Sequence, residues 1–323
     1  MQALVLLNTG SHPEMVIQDR PIPSITQGHS LIKVYAATIN PLSNQIRSGI
    51  VPQAVLPLVL SNDGSGTVVD SEKFAKGTKV AIYGGADIGI TKDGMQQEWV
   101  LIENERIIEL PDNFSLEEGA ALPINYVTAH QALVRVGQIE VGQKVLITGA
   151  SGSLGSALIQ VSKALGATPI AIVSNSSKVQ RAKDAGAEHV IDLSCDDFHS
   201  TVLSLTDNQG ADLACDAVGG ELLGRLVKSL RTRGAVVSIG FVGGITAQID
   251  LIDVVVYEKK ILGYDAHLET QEDVNKTIAV LKQFIHENKV RPCIDSTYPL
   301  DQYLEAYKRL ESRKAQGTIL IRL

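Results

Sequence analysis

The chain has only three cysteines in 323 residues, and none precedes Cys195. Cys195, Cys215 and Cys293 are widely spaced and odd in number, which argues against a disulfide framework and fits a reducing compartment. None belongs to a C-x-x-C pair, so ordinary core or surface roles are the plainer reading. The seven histidines contain no i,i+4 pair of the kind that holds a metal on one helix face. Long apolar runs are also missing. The opening "MQALVLLNTG" is too short for a membrane span or a signal core and has no basic flank, so a soluble, cytoplasmic protein is expected. Positive charge is scarce: 29 Lys and Arg stand against 36 Asp and Glu, a formal net charge of −7, with no basic run that could track a phosphate backbone. Neither nucleic acid nor membrane is expected as a partner.

What is present falls into two patterns. Up to about residue 121 the chain reads as short β segments with frequent turns, such as "SLIKVYAATI", "GSGTVVD" and "GTKVAIYGG". In "LPDNFSLEEGAAL", either Asn113 or Ser115 caps a helix whose first turn holds Glu117 and Glu118. From residue 122 strands alternate with helices: "KVLITGA", "TPIAIVS", "HVIDL", "ADLACDAVGG", "GAVVSIGF" and "KKILGYD" are six apolar strand candidates separated by helical segments. Parallel neighbours need crossovers, so the pattern predicts an α/β fold with a doubly wound, six-stranded parallel sheet over 122–267. The first domain, a β-barrel type, would hold 1–121 and the returning segment 268–323.

The most informative stretch is "VLITGASGSLGSALIQ", Val145 to Gln160. Gly149, Gly152 and Gly155 follow an apolar strand and open a helix with Leu154, Leu158, Val161 and Leu165 on one face. Such a turn lets backbone approach a pyrophosphate whose charge rests on helix N–H groups. The spacing occurs in two groups of oxidoreductases. The short-chain dehydrogenases carry it at the N-terminus and pair it with Tyr-x-x-x-Lys; here it lies deep in the chain, and none of the eight tyrosines has Lys four residues on.

Taken with "NPLSNQIRSG" (Asn40 to Gly49), "LPLVLSNDGSGTVV" (Leu56 to Val69), "LPINYVTAHQAL" (Leu122 to Leu133), "AGAEHVIDL", "DAVGG", "VVSIGF" and "LESRKAQGTIL", the chain resembles the zinc-free quinone oxidoreductase (zeta-crystallin-like) family of the medium-chain dehydrogenase/reductase superfamily. The resemblance runs essentially end to end. It implies a GroES-like β-barrel catalytic domain, a Rossmann domain binding NADP(H), an active cleft at their junction and a homodimer paired near "ITAQIDLI" and "KKILGYD". Zinc-dependent relatives have Cys where Asn40 stands and His-Glu where Asn62 and Asp63 stand, so no metal is expected.

Without a Lewis acid, a quinone or other conjugated carbonyl is the easier hydride acceptor, because charge spreads onto oxygen. After the second strand no acid occurs between Ile172 and Asp184; Ser174, Asn175, Ser176 and Ser177 offer hydrogen bonds, and Lys178 and Arg181 offer charge. That favours NADPH over NADH, although both cations would also suit a solvated helix face. Similar family members bind the 2′-phosphate with a lysine at the place of Lys178. By the same resemblance, Ser151, Gly152, Ser153, Leu154 and Gly155 hold the pyrophosphate. Asn40 and Thr128 lie near the nicotinamide and its ribose, Val218, Gly219, Gly240 and Phe241 line the cofactor, and Arg313 reaches it from the tail.

Asn40 could instead be a turn residue before Pro41, and Arg313 an exposed helix-end cation. Several relatives have Tyr at the position of Gln45, which with Asn40 forms the candidate catalytic pair; Gln45 donates a hydrogen bond but no proton near neutral pH, leaving water, Tyr83 or Tyr126 as proton sources. An NADPH-dependent quinone or enone reductase is the leading expectation. An alkenal or enoyl-thioester double-bond reductase, and an NADPH-binding protein with little turnover, remain open.

Overall fold

The structure, a computed structural model, describes all 323 residues. The chain forms two compact units, Met1–Ile124 with Pro292–Leu323, and Asn125–Arg291.

The first unit contains β1 (Gln2–Asn8), β2 (Glu14–Asp19), β3 (His29–Ile39), α1 (Pro41–Arg47), β4 (Leu58–Val59), β5 (Asp63–Ser71), β6 (Lys79–Tyr83), β7 (Trp99–Glu103), β8 (Ile107–Glu109) and α2 (Leu116–Ala121). Helix α3 (Pro123–Gln131) carries the chain onward. β3 is the hub of a seven-stranded sheet and pairs with β5 and β7 and with the last strand of the chain. Its sequence explains this: Ile32, Val34 and Ala36 alternate inward past exposed Lys33, then Ala36–Ile39 are all buried where both faces are covered. β2, β1 and β4 form a separate antiparallel sheet. Of the two candidate caps before α2, Ser115 is the one used: its side chain accepts the Glu118 amide, and Glu118 returns the bond.

The second unit alternates as the apolar pattern predicts: β9 (Lys144–Ile147), α4 (Ser153–Ala164), β10 (Thr168–Val173), α5 (Val179–Asp184), β11 (His189–Asp192), α6 (Phe198–Leu205), β12 (Ala211–Asp216), α7 (Leu222–Ser229), β13 (Leu230–Ser238), α8 (Leu251–Val255), β14 (Lys260–Gly263) and α9 (Gln271–His286). The six strands are parallel, in the order β11-β10-β9-β12-β13-β14. The strand order reverses between β9 and β12, the crevice where doubly wound sheets bind ligands. Leu146, Ile170, Ile172, Ala214 and Val236 fill the sheet interior under Phe198 and Leu226. The chain ends with β15 (Ile294–Pro299), α10 (Tyr303–Glu311) and β16 (Thr318–Arg322), which join the seven-stranded sheet of the first unit.

One boundary differs from the sequence-based expectation. The return to the first unit falls at Pro292 rather than at residue 268, because α9 packs within the second unit. α9 buries Val274, Ile278, Leu281, Phe284 and Ile285. Its Thr277 Oγ1 accepts from Gln131 Nε2 at 2.7 Å and contacts His130 Nδ1 at 3.0 Å. The amphipathic pattern shows a helix; it does not show which core takes its apolar face.

Candidate functional site

The glycine turn leaves β9 and enters α4. Gly149 is left-handed (φ 61°), and the Gly152 amide donates to its carbonyl at 2.9 Å. A Cβ on Gly155 would lie 2.2 Å from the Gly149 oxygen, so only glycine lets the helix start so close to the strand end. Gly152 is the N-cap and offers no side chain. The first-turn amides of Ser153, Leu154 and Gly155 therefore have no helical acceptor and face the positive end of a 12-residue helix, with Ser151 buried behind them. That arrangement accepts a phosphate.

Across the crevice, Asp216 ends β12. Its Oδ1 accepts from Thr148 Oγ1 (2.7 Å) and from the amides of Val218 and Gly219 (both 3.0 Å), tying this loop to the residue before Gly149. Gly219 (φ 75°) packs against the chain after β13: a Cβ there would stand 2.8 Å from Gly240 O and 2.9 Å from the Phe241 Cα. The Gly243 amide donates to Val218 O at 2.7 Å. Val218, Gly219, Gly240 and Phe241 are thus brought together, with Phe241 47% exposed.

After β10, Asn175 caps a short 3-10 turn; its Oδ1 accepts the Ser177 amide at 3.2 Å and the Ser177 hydroxyl at 2.6 Å. Ser174 is exposed, and the half-buried Lys178 ammonium has no partner in the protein. The acid that borders this loop lies outside its own sequence: Asp192 ends the adjacent strand level with Val173. Asp192 Oδ2 accepts the Ser176 hydroxyl, and Oδ1 accepts the amide and hydroxyl of Ser194. Those bonds hold its carboxyl down at about 2. The parallel register, not the local sequence, places this carboxylate beside the loop. Thr128, on α3, accepts from Tyr264 Oη at 3.4 Å, and that phenol also donates to Glu269 Oε1.

In the first unit Asn40 is both a turn residue and part of a polar cluster. It caps α1: Oδ1 accepts the Ser43 amide at 2.9 Å, and the Ser43 hydroxyl accepts the Asn40 amide in return. Its Nδ2 donates to Asn62 Oδ1 (3.0 Å) and Thr38 Oγ1 (3.4 Å). Both amide hydrogens are committed, so the remaining capacity of this side chain is acceptance at Oδ1. Asp63 is fully buried, meets Thr38 Oγ1, accepts the Ile124 amide, and is pushed up to about 7 by burial, which those two contacts oppose. Thr38 and Ser61, both buried and touching each other at 3.1 Å, were not singled out by the sequence.

Gln45 lies on α1, half-buried, its carboxamide without a protein partner. The tyrosines considered as proton sources are buried, and Tyr126 donates to Gln160 Oε1 at 2.9 Å. Arg313 follows α10 in a left-handed conformation (φ 56°) with an exposed side chain.

Residues 26–112 match the family model of the alcohol dehydrogenase GroES-like domain, and residues 153–283 match that of zinc-binding dehydrogenases. Mouse quinone oxidoreductase is 28% identical over 317 residues, covering 95% of this chain and 93% of its own. Among solved structures, an NAD-dependent alcohol dehydrogenase superposes with a TM-score of 0.89 at 26% identity, covering 100% of both chains. A mycobacterial protein solved in complex with NADPH gives 0.86 at 26% identity, again over 100% of both.

Zinc, which one model's name implies, does not fit the residues here. The positions offer two amides already bonded to each other and one buried carboxyl, and the chain has no cluster of three or more His, Cys, Asp or Glu able to hold a metal. The helix-opening glycine turn at a six-stranded switch point, the β3-centred sheet and the matches along nearly the whole chain agree: the chain is an oxidoreductase of the medium-chain dehydrogenase/reductase superfamily, similar along nearly its whole length to quinone oxidoreductases.

Proposed function

We propose that the protein is a metal-independent, NADPH-dependent reductase that delivers hydride to a conjugated carbonyl acceptor, a quinone foremost. The observation that carries this reading is the Asn40–Asn62 amide pair: bonded to each other where zinc-dependent relatives carry metal ligands, these side chains offer no Lewis acid, which favours an acceptor that spreads its own charge by conjugation. The quinone oxidoreductase relative and the NADPH-bound neighbour support it. When bound, the nicotinamide supplies the hydride.

The residues of this chain do the rest. Ser153, Leu154 and Gly155 amides hold the pyrophosphate. Lys178, with Ser174 and Asn175, meets the 2′-phosphate through charge-assisted bonds worth roughly 1.5–3 kcal/mol each. Asn40 Oδ1 accepts one hydrogen bond from the cofactor side, and Thr128, Val218, Gly219, Gly240, Phe241 and Arg313 complete the cofactor contacts. Gln45 donates to the acceptor oxygen as charge develops there, and the proton that completes a hydroquinone comes from solvent. A homodimer is part of the proposal: β14 is the open edge of the parallel sheet, and nearby Leu251 and Val255 are 73% and 72% exposed.

The test is NADPH oxidation by chelator-treated protein against two quinones, an enal and an enoyl thioester, with NADH in parallel. Quinone turnover with NADPH and not with NADH is expected. A saturated carbonyl product would move the assignment to double-bond reduction. NADPH binding without any turnover would reject a reductase and leave the binding protein.

A further inference from the structure

The polar cluster behind Asn40 contains one more contact than its hydroxyls have hydrogens to fill. Thr38 Oγ1 meets Asp63 Oδ1; it also meets Ser61 Oγ at 3.1 Å; and Ser61 Oγ meets the main-chain oxygen of Asp63 at 2.8 Å. Three oxygen–oxygen contacts need three hydrogens, and the two hydroxyls bring one each. A carbonyl cannot donate, so the Ser61 hydrogen goes to Asp63 O. The Thr38 hydrogen must then go to Ser61. The bond between Thr38 and Asp63 is left to be supplied from the carboxyl side. All three residues are buried, at 1%, 2% and 0% exposure for Thr38, Ser61 and Asp63, so a missing hydrogen would leave two oxygens facing each other without solvent.

We infer that Asp63 is held as a neutral carboxylic acid and acts as a positioning residue: its proton turns the Thr38 hydroxyl toward Ser61 and so closes the ring that fixes Thr38 Oγ1, the acceptor of Asn40. With Asp63 donating, Thr38 Oγ1 has two lone pairs for two donors, the carboxyl and Asn40 Nδ2 at 3.4 Å. Asn40 Nδ2 spends its other hydrogen on Asn62, so the orientation of its carboxamide, and with it the direction of the Oδ1 acceptor, is set by this ring.

The surroundings agree with a neutral acid. No cation faces Asp63: β3 contributes Thr38, β6 contributes its register partner Tyr83, and the chain after α2 contributes the Ile124 amide. On α2 and its cap, Glu117 is bound by Tyr35 Oη and Glu118 by the Ser115 amide. Burial, unopposed by any positive charge, moves the carboxyl upward. Ionisation would draw the Thr38 hydrogen to the carboxylate and break the ring at Ser61.

The positioning role rests on the proposed reading of Asn40 as a cofactor contact; the protonated ring does not, and the tests separate the two. Asp63→Asn keeps a donor toward Thr38 and an acceptor toward Ile124, and so mimics the acid. Difference infrared spectra of wild type against this variant should show the carbonyl stretch of a protonated carboxylic acid below neutral pH, lost as pH rises through neutrality. In the same samples, NADPH affinity measured by fluorescence should fall about tenfold between about pH 6 and about pH 8.5 in wild type and stay flat in Asp63→Asn. Thr38→Val should weaken NADPH at both pH values and Thr38→Ser should restore it, with melting temperatures confirming that each variant is folded.

Absence of a titrating acid band overturns the proposal whatever the turnover. A band with identical affinity profiles in wild type and Asp63→Asn overturns the positioning role. A band with the expected profiles in a protein inert to every acceptor upholds the inference and rejects the reductase reading alone.

Discussion

Each unit brings an aspartate to the end of a strand, and the two are driven in opposite directions. Asp192 closes β11 and receives a hydroxyl from Ser176 and an amide and a hydroxyl from Ser194; these hold it ionised, at about 2. Asp63 opens β5 with complete burial and only Thr38 Oγ1 and the Ile124 amide in contact, and stands at about 7. The same side chain is therefore a fixed charge beside the proposed phosphate loop and a stored proton beside the proposed acceptor site. Neither carboxylate has an ion-pair partner, so the difference comes from the number of donors weighed against desolvation.

The largest way to break this contrast is to remove Asp63 as an acid. Its folded pKa lies above its unfolded one, so it stabilises fully below about pH 4, and that contribution is lost as pH rises through about 7. At 1.36 kcal/mol per unit the span is on the order of 4 kcal/mol. Asp63→Asn should therefore gain on wild type between about pH 4 and about pH 8, by up to that amount, in denaturant melts taken across the range. Asp192 has the mirrored sign. Its folded pKa is lowered, so its contribution is present above the unfolded value and is lost as pH falls through about 2. Asp192→Asn should alter the acid limb alone. A neutral-range slope that persists in Asp63→Asn, or moves with Asp192 instead, would erase the comparison.

Next in size is the loop that Asp192 borders. Lys178→Ala should weaken NADPH by about 10- to 100-fold, the loss of one charge-assisted bond of roughly 1.5–3 kcal/mol, and leave NADH within about twofold of wild type. Ser176→Ala, which frees one Asp192 oxygen, should weaken NADPH more mildly, because an ionised carboxylate then meets the phosphate loop with one oxygen unbonded. Isothermal titration with both cofactors reads each effect. Equal losses for NADPH and NADH would mean that Lys178 shapes the turn and does not read the phosphate.

The second unit was the more legible of the two in sequence, for a physical reason. A parallel strand buried on both faces must be apolar along its length, and a helix must begin where its cap and glycines allow, so β9 to β14 and the Gly149–Gly155 turn are written locally. Asp192 escaped because its neighbourhood with Val173 depends on strand register. In the first unit the cluster at Asn40 joins β3, the chain before β5 and the chain after α2, and no local pattern states that Thr38, Ser61 and Asp63 meet. A partial signal was there: Thr38 and Asn40 are polar residues two apart in "AATIN", where an apolar strand ends and a shared face follows from the pleat, whereas in "VLSND" the left-handed backbone at Ser61 (φ 76°) breaks that alternation before Asp63. The chain returns at Pro292 and not at residue 268 because amphipathicity identifies α9 without identifying its core.

The smallest effects separate structure from function at Asn40 itself. Asn40 and Ser115 are both N-caps with reciprocal bonds from the third helical residue, Ser43 and Glu118. Replacing either with alanine should cost about 1 kcal/mol of stability, since each removes one side-chain acceptor from a first-turn amide. If Asn40 were only a cap, the two variants would be indistinguishable. As a cofactor contact it must differ: Asn40→Ala loses NADPH affinity and Ser115→Ala does not. Asn40→Ser sharpens the point, because serine retains a capping oxygen for the Ser43 amide and gives up the bonds to Asn62 and Thr38. Its stability should return toward wild type while its NADPH affinity stays with Asn40→Ala, placing the function in the amide that the Asp63 ring orients and not in the helix it starts.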